Sequence, residues 1–240
     1  MTEAQPAPAP RPLPPVLLLG VPGAGKGTQA KRLSLRYRIP HLSTGDIFRE
    51  MAHAESDLAK RVWNDMRQGN LVSDDLVCQV VAERLQRDDC RSGYILDGFP
   101  RTLPQARWLM QFLESGPRAA ARVIVIYLTV GYNDLYRRLL GRRSCPACGR
   151  IYNDFTQPPR HAGVCDLDQS PLVQRKDDDP AVIRERLSAY EQQTLPLVEF
   201  FRGRGSLLEL SGGEAVDRVT GRLFAAIEQA APESPAAGAL

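Results

Sequence analysis

The chain has 240 residues, 43% hydrophobic and 25% charged, a balance that suits one large α/β domain or a core carrying small inserts. A formal net charge of +3, from 31 basic and 28 acidic residues, is too small for a general nucleic-acid binder. No apolar run nears the roughly 20 residues that span a bilayer, and the Ala/Pro-rich start lacks the apolar stretch of a secretory signal, so we expect no nucleic-acid partner, no membrane partner and a cytoplasmic location.

Residues 1–15 and 232–240 read as disordered tails, and 16–231 as the folded core. Val16 to Gly20 is a short apolar run between prolines and a glycine-rich turn, the pattern of a buried strand. Gly25 to Tyr37 is predicted to be helix, as is Ile47 to Gln68, with Gly69 as a stop. Asp74 to Arg87 follows as a helix with apolar Leu76, Val77, Val80, Val81 and Leu85. Tyr94 to Leu96 is strand, Leu103 to Leu113 helix, Val123 to Leu128 strand and Asn133 to Leu140 helix. From Arg142 to about Asp178 the composition turns to Cys, Pro, Gly and Asp, the mark of an inserted small module. Pro180 to Phe201 returns to helix, Leu207 to Leu210 to strand and Ala215 to Ala230 to helix. Strands alternating with helices predict an α/β fold, a parallel sheet covered by helices on both faces. No internal repeat is evident.

Gly20-Val-Pro-Gly-Ala-Gly-Lys-Gly-Thr28 joins the first strand to the first helix and matches the start of a phosphate-binding loop, with the hydroxyl one residue late. Glycines let backbone N–H groups turn inward around a phosphate, and the helix N-terminus adds partial positive charge. Gly23, Ala24, Gly25, Lys26, Gly27 and Thr28 are therefore candidate nucleoside-triphosphate-binding residues, with Lys26 reaching the outer phosphates. The loop alone leaves many nucleotide hydrolases and kinases open.

Cys145-x-x-Cys148 is followed by Cys165-x-x-Asp168, two pairs that can converge on one tetrahedral ion. Three thiolates and a carboxylate suit Zn²⁺; Asp166 and His161 are the alternatives for the fourth place. With all four positions filled the ion is expected to be structural, holding together a module too short to bury much core. Cys78 and Cys90 read as small buried residues.

The GKGT ending of the loop, Ser43-Thr-Gly-Asp-Ile-Phe-Arg49, Leu71-Val-Ser-Asp-Asp75 and Tyr94-Ile-Leu-Asp-Gly-Phe-Pro-Arg-Thr-Leu-Pro-Gln105 resemble the nucleoside monophosphate kinases in order and spacing. With Gly141-Arg-Arg143 and Gln174-Arg-Lys-Asp-Asp178 they are similar to the adenylate kinases of the long-lid type, from about Val16 to about Glu228. The resemblance implies a P-loop core with an AMP-binding flap at 43–72 and a lid at 141–178. It implies a monomer that uses Mg²⁺, acts on ATP, AMP and ADP, and serves adenine nucleotide homeostasis. It puts AMP against Thr44, Arg49, Asn70, Leu71, Val72, Gly98, Phe99, Pro100, Arg101 and Gln105, and ATP against the loop, Arg142, Ile151 and Tyr152. Family lids carry Cys or Asp where Asp168 stands. Relatives using uridylate or cytidylate carry Ala at the place of Thr44 and Asn at that of Gln105, so both residues here favour AMP; Thr44 or Ser43 can also act as a helix cap.

Bringing two anionic nucleotides together requires their repulsion to be offset, and arginine forks suit phosphate oxygens. The expected cations are Lys26, Arg101, Arg138, Arg142, Arg175 and Arg186; the resemblance puts Arg142 mainly on ATP, and Arg175 and Arg186 on the AMP side or the transferring group. Arg143 and Arg184 read as solvated neighbours. The AMP phosphate is already an anionic nucleophile, so His41, His53 and His161 have no expected role. Asp97 is placed to orient water around Mg²⁺, with Asp46 a second candidate; the resemblance alone implies that Asp177 and Asp178 help hold the lid closed. The rival readings are a kinase for another nucleoside monophosphate and a non-catalytic nucleotide sensor or zinc-bearing interaction module.

Overall fold

The computed structural model describes residues 13–51, 72–115 and 122–231. Numbered in chain order, β1 (Val16–Gly20), β2 (His41–Ser43), β3 (Ile95–Asp97), β4 (Ile124–Thr129) and β7 (Leu207–Ser211) form one sheet in the order β2-β3-β1-β4-β7. Every pairing in it is parallel. β5 (Arg142–Ser144) and β6 (Ile151–Asn153) make a separate antiparallel pair within the inserted module.

Strand residues alternate between two cores because successive side chains point to opposite faces. On one face Leu17, Leu19, Leu96 and Val125 meet α3 (Asp74–Leu85), α4 (Leu103–Ser115) and α7 (Pro196–Arg202) through Val77, Val81, Leu109 and Phe201. On the other, Val16, Leu18, Ile95 and Ile126 meet α1 (Lys26–Tyr37) and α8 (Val216–Ala230) through Leu33, Leu223 and Ile227. Covering both faces is why these strands are continuously apolar in sequence. Each fully buried leucine contributes about 1.5–3 kcal/mol of transfer free energy.

The helix starts follow from local chemistry. Ser73 Oγ accepts the Leu76 N–H at 3.4 Å, and Asp74 and Asp75 occupy the first turn of α3, where negative charge is favoured. α6 (Pro180–Ala189) has Asp179 as its cap, accepting the Ala181 N–H at 2.9 Å, with Pro180 in the first turn. α5 (Tyr132–Leu140) leads into β5.

Four features differ from the sequence reading. Residues 13–15, assigned to the tail, are buried; the Leu13 N–H donates to Ser92 O at 3.1 Å, and Leu13 shares a cluster with α8. β2 is an edge strand too short to show a period. The helix predicted over Pro180 to Phe201 is interrupted by a π turn at Tyr190–Thr194, because Pro196 has no N–H and the Leu195 N–H reaches Tyr190 O five residues back, at 2.8 Å. Arg143 is no solvated neighbour: it pairs with Asp154 at 2.6 Å. Of the flap, α2 (Thr44–Met51) and Val72 are described; the rest of the Ile47 to Gln68 helix, Gly69, His53, and the tails 1–12 and 232–240 lie outside the described residues. Among the described residues no helix is long and apolar enough to cross a membrane.

Candidate active site

β1 lies between β3 and β4, so the chain leaves the sheet in opposite directions on its two sides, and a crevice opens at the carboxyl ends of these strands. A cleft of about 1050 Å³ lies there, lined by the Gly20-to-Thr28 loop, Asp97, Pro100 and the lid residue Ile151. Lys26, Arg101, Arg138, Arg142, Arg175 and Arg186 all line it.

Three glycines with positive φ, Gly20, Gly23 and Gly25, shape the loop. Gly20 has φ +146 and passes so near β4 that a Cβ would lie 2.5 Å from Leu128 O; Gly25 caps α1 at φ +92. Lys26 Nζ donates to Gly20 O at 2.6 Å and to Val21 O at 3.1 Å. Part of the side chain faces the cleft, but the ammonium lies deep among protein atoms. Burial lowers its pKa to about 8; Asp97 opposes this, and Arg101, Arg186 and Arg142 add to it.

Asp97 ends β3, and a Cβ on Gly27 would lie 3.4 Å from its Oδ2. Burial disfavours its charge, yet the hydrogen bond from His41 and the charges of Lys26 and Arg101 hold the carboxyl below its ordinary range. The His41 contact, Nε2 to Oδ2 at 3.2 Å, was not anticipated. No local sequence signal carries it: the pairing of β2 with β3 sets Ser43 beside Asp97 and His41 beside Ile95. An anionic carboxyl lining the cleft at a phosphate loop fits a hydrated Mg²⁺.

The arginines are held by a small set of acids. Arg142 Nε donates to Asp178 Oδ2 at 2.7 Å and its Nη2 donates to Oδ1, while Asp178 is fully buried. Arg186 Nη1 lies 2.9 Å from Asp177 Oδ2 and 3.5 Å from Asp178 Oδ1. Arg175 Nε donates to Ser144 Oγ at 2.9 Å. Burial and the like charge of Arg186 lower the Arg101 pKa, a crowding of cations that suits an anionic ligand. Arg184 is exposed, as expected.

On the flap side, Thr44 Oγ1 donates to Gly98 O at 3.0 Å, and Arg101 Nε donates to the same carbonyl at 2.8 Å. Gln105 is buried at the first turn of α4. Phe99 packs into the core edge-on to Trp108, 6.0 Å between centroids, so its ring is a core group rather than a cleft group. Val72 packs with Leu76 and Val80. Asn70, Leu71 and the side chains of Arg49 and Asp46 lie outside the described residues.

In the lid, one ligand atom from each of Cys145, Cys148, Cys165 and Asp168 lies within 4.8 Å of the others. Cys145 Sγ is 3.2 Å from Asp168 Oδ2, and Cys148 Sγ is 3.6 Å from Cys165 Sγ. Four ligands about 2.0–2.3 Å from one tetrahedral ion sit at such separations, so the donor set fits Zn²⁺. Asp166, one alternative, instead accepts the Arg160 N–H at 2.8 Å, and His161, the other, is exposed. Tyr152 lines the cleft beside Ile151, while its ring packs in the lid and its hydroxyl lies 3.4 Å from Cys165 Sγ. Ile151 does lie over the loop, with Cδ1 3.9 Å from where a Gly27 Cβ would be. Lys31 Nζ donates to Gly149 O, tying α1 to the lid.

Cys78 and Cys90 are buried, as expected; burial pushes their thiols up to about 12 and about 11.

Comparison with known proteins agrees with this geometry. The family model described as adenylate kinase matches residues 18–206. An adenylate kinase of Trichlorobacter lovleyi is 47% identical over 212 residues, 88% of this chain and 98% of the relative. One of Clostridium perfringens is 44% identical over 204 residues, covering 85% and 94%, and one of Finegoldia magna 41% over 214 residues, covering 89% and 99%. With a phosphate loop, an arginine-lined cleft and a cysteine-bearing lid matched along nearly its whole described length, the chain belongs to the adenylate kinase family.

Proposed function

We propose that the protein catalyses reversible phosphoryl transfer from ATP to AMP, giving two ADP, and so balances the adenine nucleotides. The observation that carries this reading is the gathering of Lys26 and five arginines around one cleft at the phosphate loop. A binding module gains little from that many cations around the place where one phosphoryl group changes hands.

An oxygen of the AMP phosphate attacks the γ-phosphorus; the new P–O bond forms as the bond to the β-phosphate oxygen breaks, and ADP departs with that electron pair. The nucleophile carries no proton, so no general base acts. Asp97 would orient the water around Mg²⁺, which when bound would supply charge neutralisation on the ATP phosphates. Lys26 and the loop N–H groups hold the outer phosphates. Arg101, Arg138, Arg142, Arg175 and Arg186 stabilise charge on the transferring group and its neighbours. Thr44 and Gln105 fit the adenine of AMP. The lid, in which Cys145, Cys148, Cys165 and Asp168 would hold Zn²⁺, excludes water that would otherwise hydrolyse ATP. The same reading has the enzyme working as a cytoplasmic monomer without nucleic acid.

The test is ADP formation from ATP and AMP with Mg²⁺, beside Arg101→Ala and with GMP, CMP and UMP as alternative acceptors. Fast turnover with AMP, reduced about 10²- to 10³-fold in the variant, is expected. Preference for another monophosphate would reassign the substrate. Failure of folded, metal-loaded protein to turn over would leave a nucleotide sensor.

A further inference from the structure

We propose that Asp74 is a specificity-determining positioning residue: it fixes the Gln105 amide in the one orientation that reads a 6-aminopurine and refuses a 6-oxopurine. This rests on the AMP reading above and assigns part of its selectivity to a residue that need not touch the nucleotide.

Gln105 is 5% exposed, and its amide is held at both ends. Oε1 accepts the backbone N–H of Arg101 at 2.8 Å, and Nε2 donates to Asp74 Oδ1 at 2.6 Å. Asp74 is itself held, since its Oδ2 accepts the Thr102 hydroxyl at 2.8 Å. Thr102 Oγ1 in turn accepts the Gln105 N–H at 3.3 Å, which closes a ring of bonds at the start of α4. Asp74 also stands first in α3, where the helix N-terminus favours its negative charge.

An amide can ordinarily exchange its oxygen and nitrogen by a half-turn, and the two atoms are distinguished by their neighbours. Here the neighbours allow one choice. A backbone N–H can only donate, and an ionised carboxylate can only accept. Turning the amide would set N–H against N–H and oxygen against carboxylate, losing both bonds in a buried place.

Each neighbour uses one of the two bonding positions on its atom. One Nε2–H and one lone pair on Oε1 remain. Adenine offers the complement, with N1 as acceptor and the 6-amino group as donor. Hypoxanthine and guanine offer N1–H and O6, which match only the turned amide. A site whose buried polar groups are left unpaired rejects such an analogue far more strongly than an apolar pocket does. Asp74 thus supplies the acceptor half of the lock and the Arg101 backbone the donor half.

The experiment measures initial rates of the full chain with saturating ATP, comparing AMP with inosine monophosphate, for the parent, Asp74→Asn, Asp74→Ala and Thr102→Val. Asn can meet Gln105 with either oxygen or NH₂, and Ala with neither, so both release that half of the lock. The AMP-to-IMP ratio of kcat/KM is expected to fall about tenfold or more in both Asp74 variants, through the monophosphate KM and with the KM for ATP unchanged. Thr102→Val, which leaves Asp74 in place but loosens it, should shift the ratio the same way by less. A uniform loss for AMP and IMP together, with the ratio kept within about twofold in all three variants, would make Asp74 a structural residue only and overturn the proposal. Parent protein that turns over no AMP would overturn the enzyme reading itself, a separate outcome.

Discussion

Replacing Lys26 with Met should make the nucleotide-free protein more stable while removing its activity. The folded pKa of about 8 lies below the ordinary 10.5 of a lysine. That difference corresponds to about 3 kcal/mol at 1.36 kcal/mol per pKa unit. Because the folded value is the lower one, the unfolded chain holds the proton more tightly. The cost is present in full below pH 8, and stability is regained as pH rises from about 8 to 10.5. Met keeps the length and apolar stem but loses the bonds to Gly20 O and Val21 O, 2.6 and 3.1 Å long, which offset part of the gain. The net stabilisation at pH 7 is expected to be about 1–2 kcal/mol, roughly 2–8 °C in Tm for a chain of this size. The assay is thermal unfolding of both proteins at pH 7 and pH 9.5, without nucleotide, alongside ADP formation. The parent should close the gap at the higher pH, and turnover of the variant should fall about 10²- to 10³-fold. A variant less stable than the parent at pH 7, or a gap that does not change with pH, would refute the reasoning.

Two further outcomes follow from the lid and its base. Cys165→Ser removes a thiolate from the four-ligand cluster, so zinc measured after gel filtration in chelator should fall from about one per chain to below about 0.1, and residues 141–178 should become the preferred site of limited proteolysis. Full zinc retention would show that another group ligates. Asp178→Asn leaves Arg142 and Arg186 without their shared buried carboxylate; the loss is expected to be about 3 kcal/mol, read as a drop of roughly 6–12 °C in Tm. A change below about 1 °C would mean that the pair contributes nothing net.

The five-stranded core was legible because its central strands are buried on both faces. Val16 to Gly20 and Val123 to Leu128 are apolar runs for that reason, and the phosphate loop between strand and helix is a local pattern. The cysteine pairs were legible for the same local reason, since spacing alone brings them near one ion. What escaped was decided by distant parts of the chain. β2 has three residues and owes its place to pairing with β3, so His41 could not be tied to Asp97 before that register was known. Arg143 finds Asp154 only because β5 and β6 fold back on each other. The π turn, by contrast, had a local signal in Pro196 that helical composition masked.

The burial of Leu13 beside α8 bears on how the protein can be handled. α8 begins at the cleft, where Val216 lines the wall, and ends at Ala230 beside Val123 and Ile124 at the other pole of the sheet. Leu13 enters at that same pole, ahead of β1, and packs on the cluster that holds Ala230 and Ala231. Anything joined ahead of Leu13 or beyond Ala231 therefore starts on the far side of the sheet from the phosphate loop and the lid. A tag or fluorophore joined directly at Leu13 or Ala231 should therefore leave nucleotide entry free. A circular permutant that connects these two positions through a short flexible bridge should keep the cleft intact.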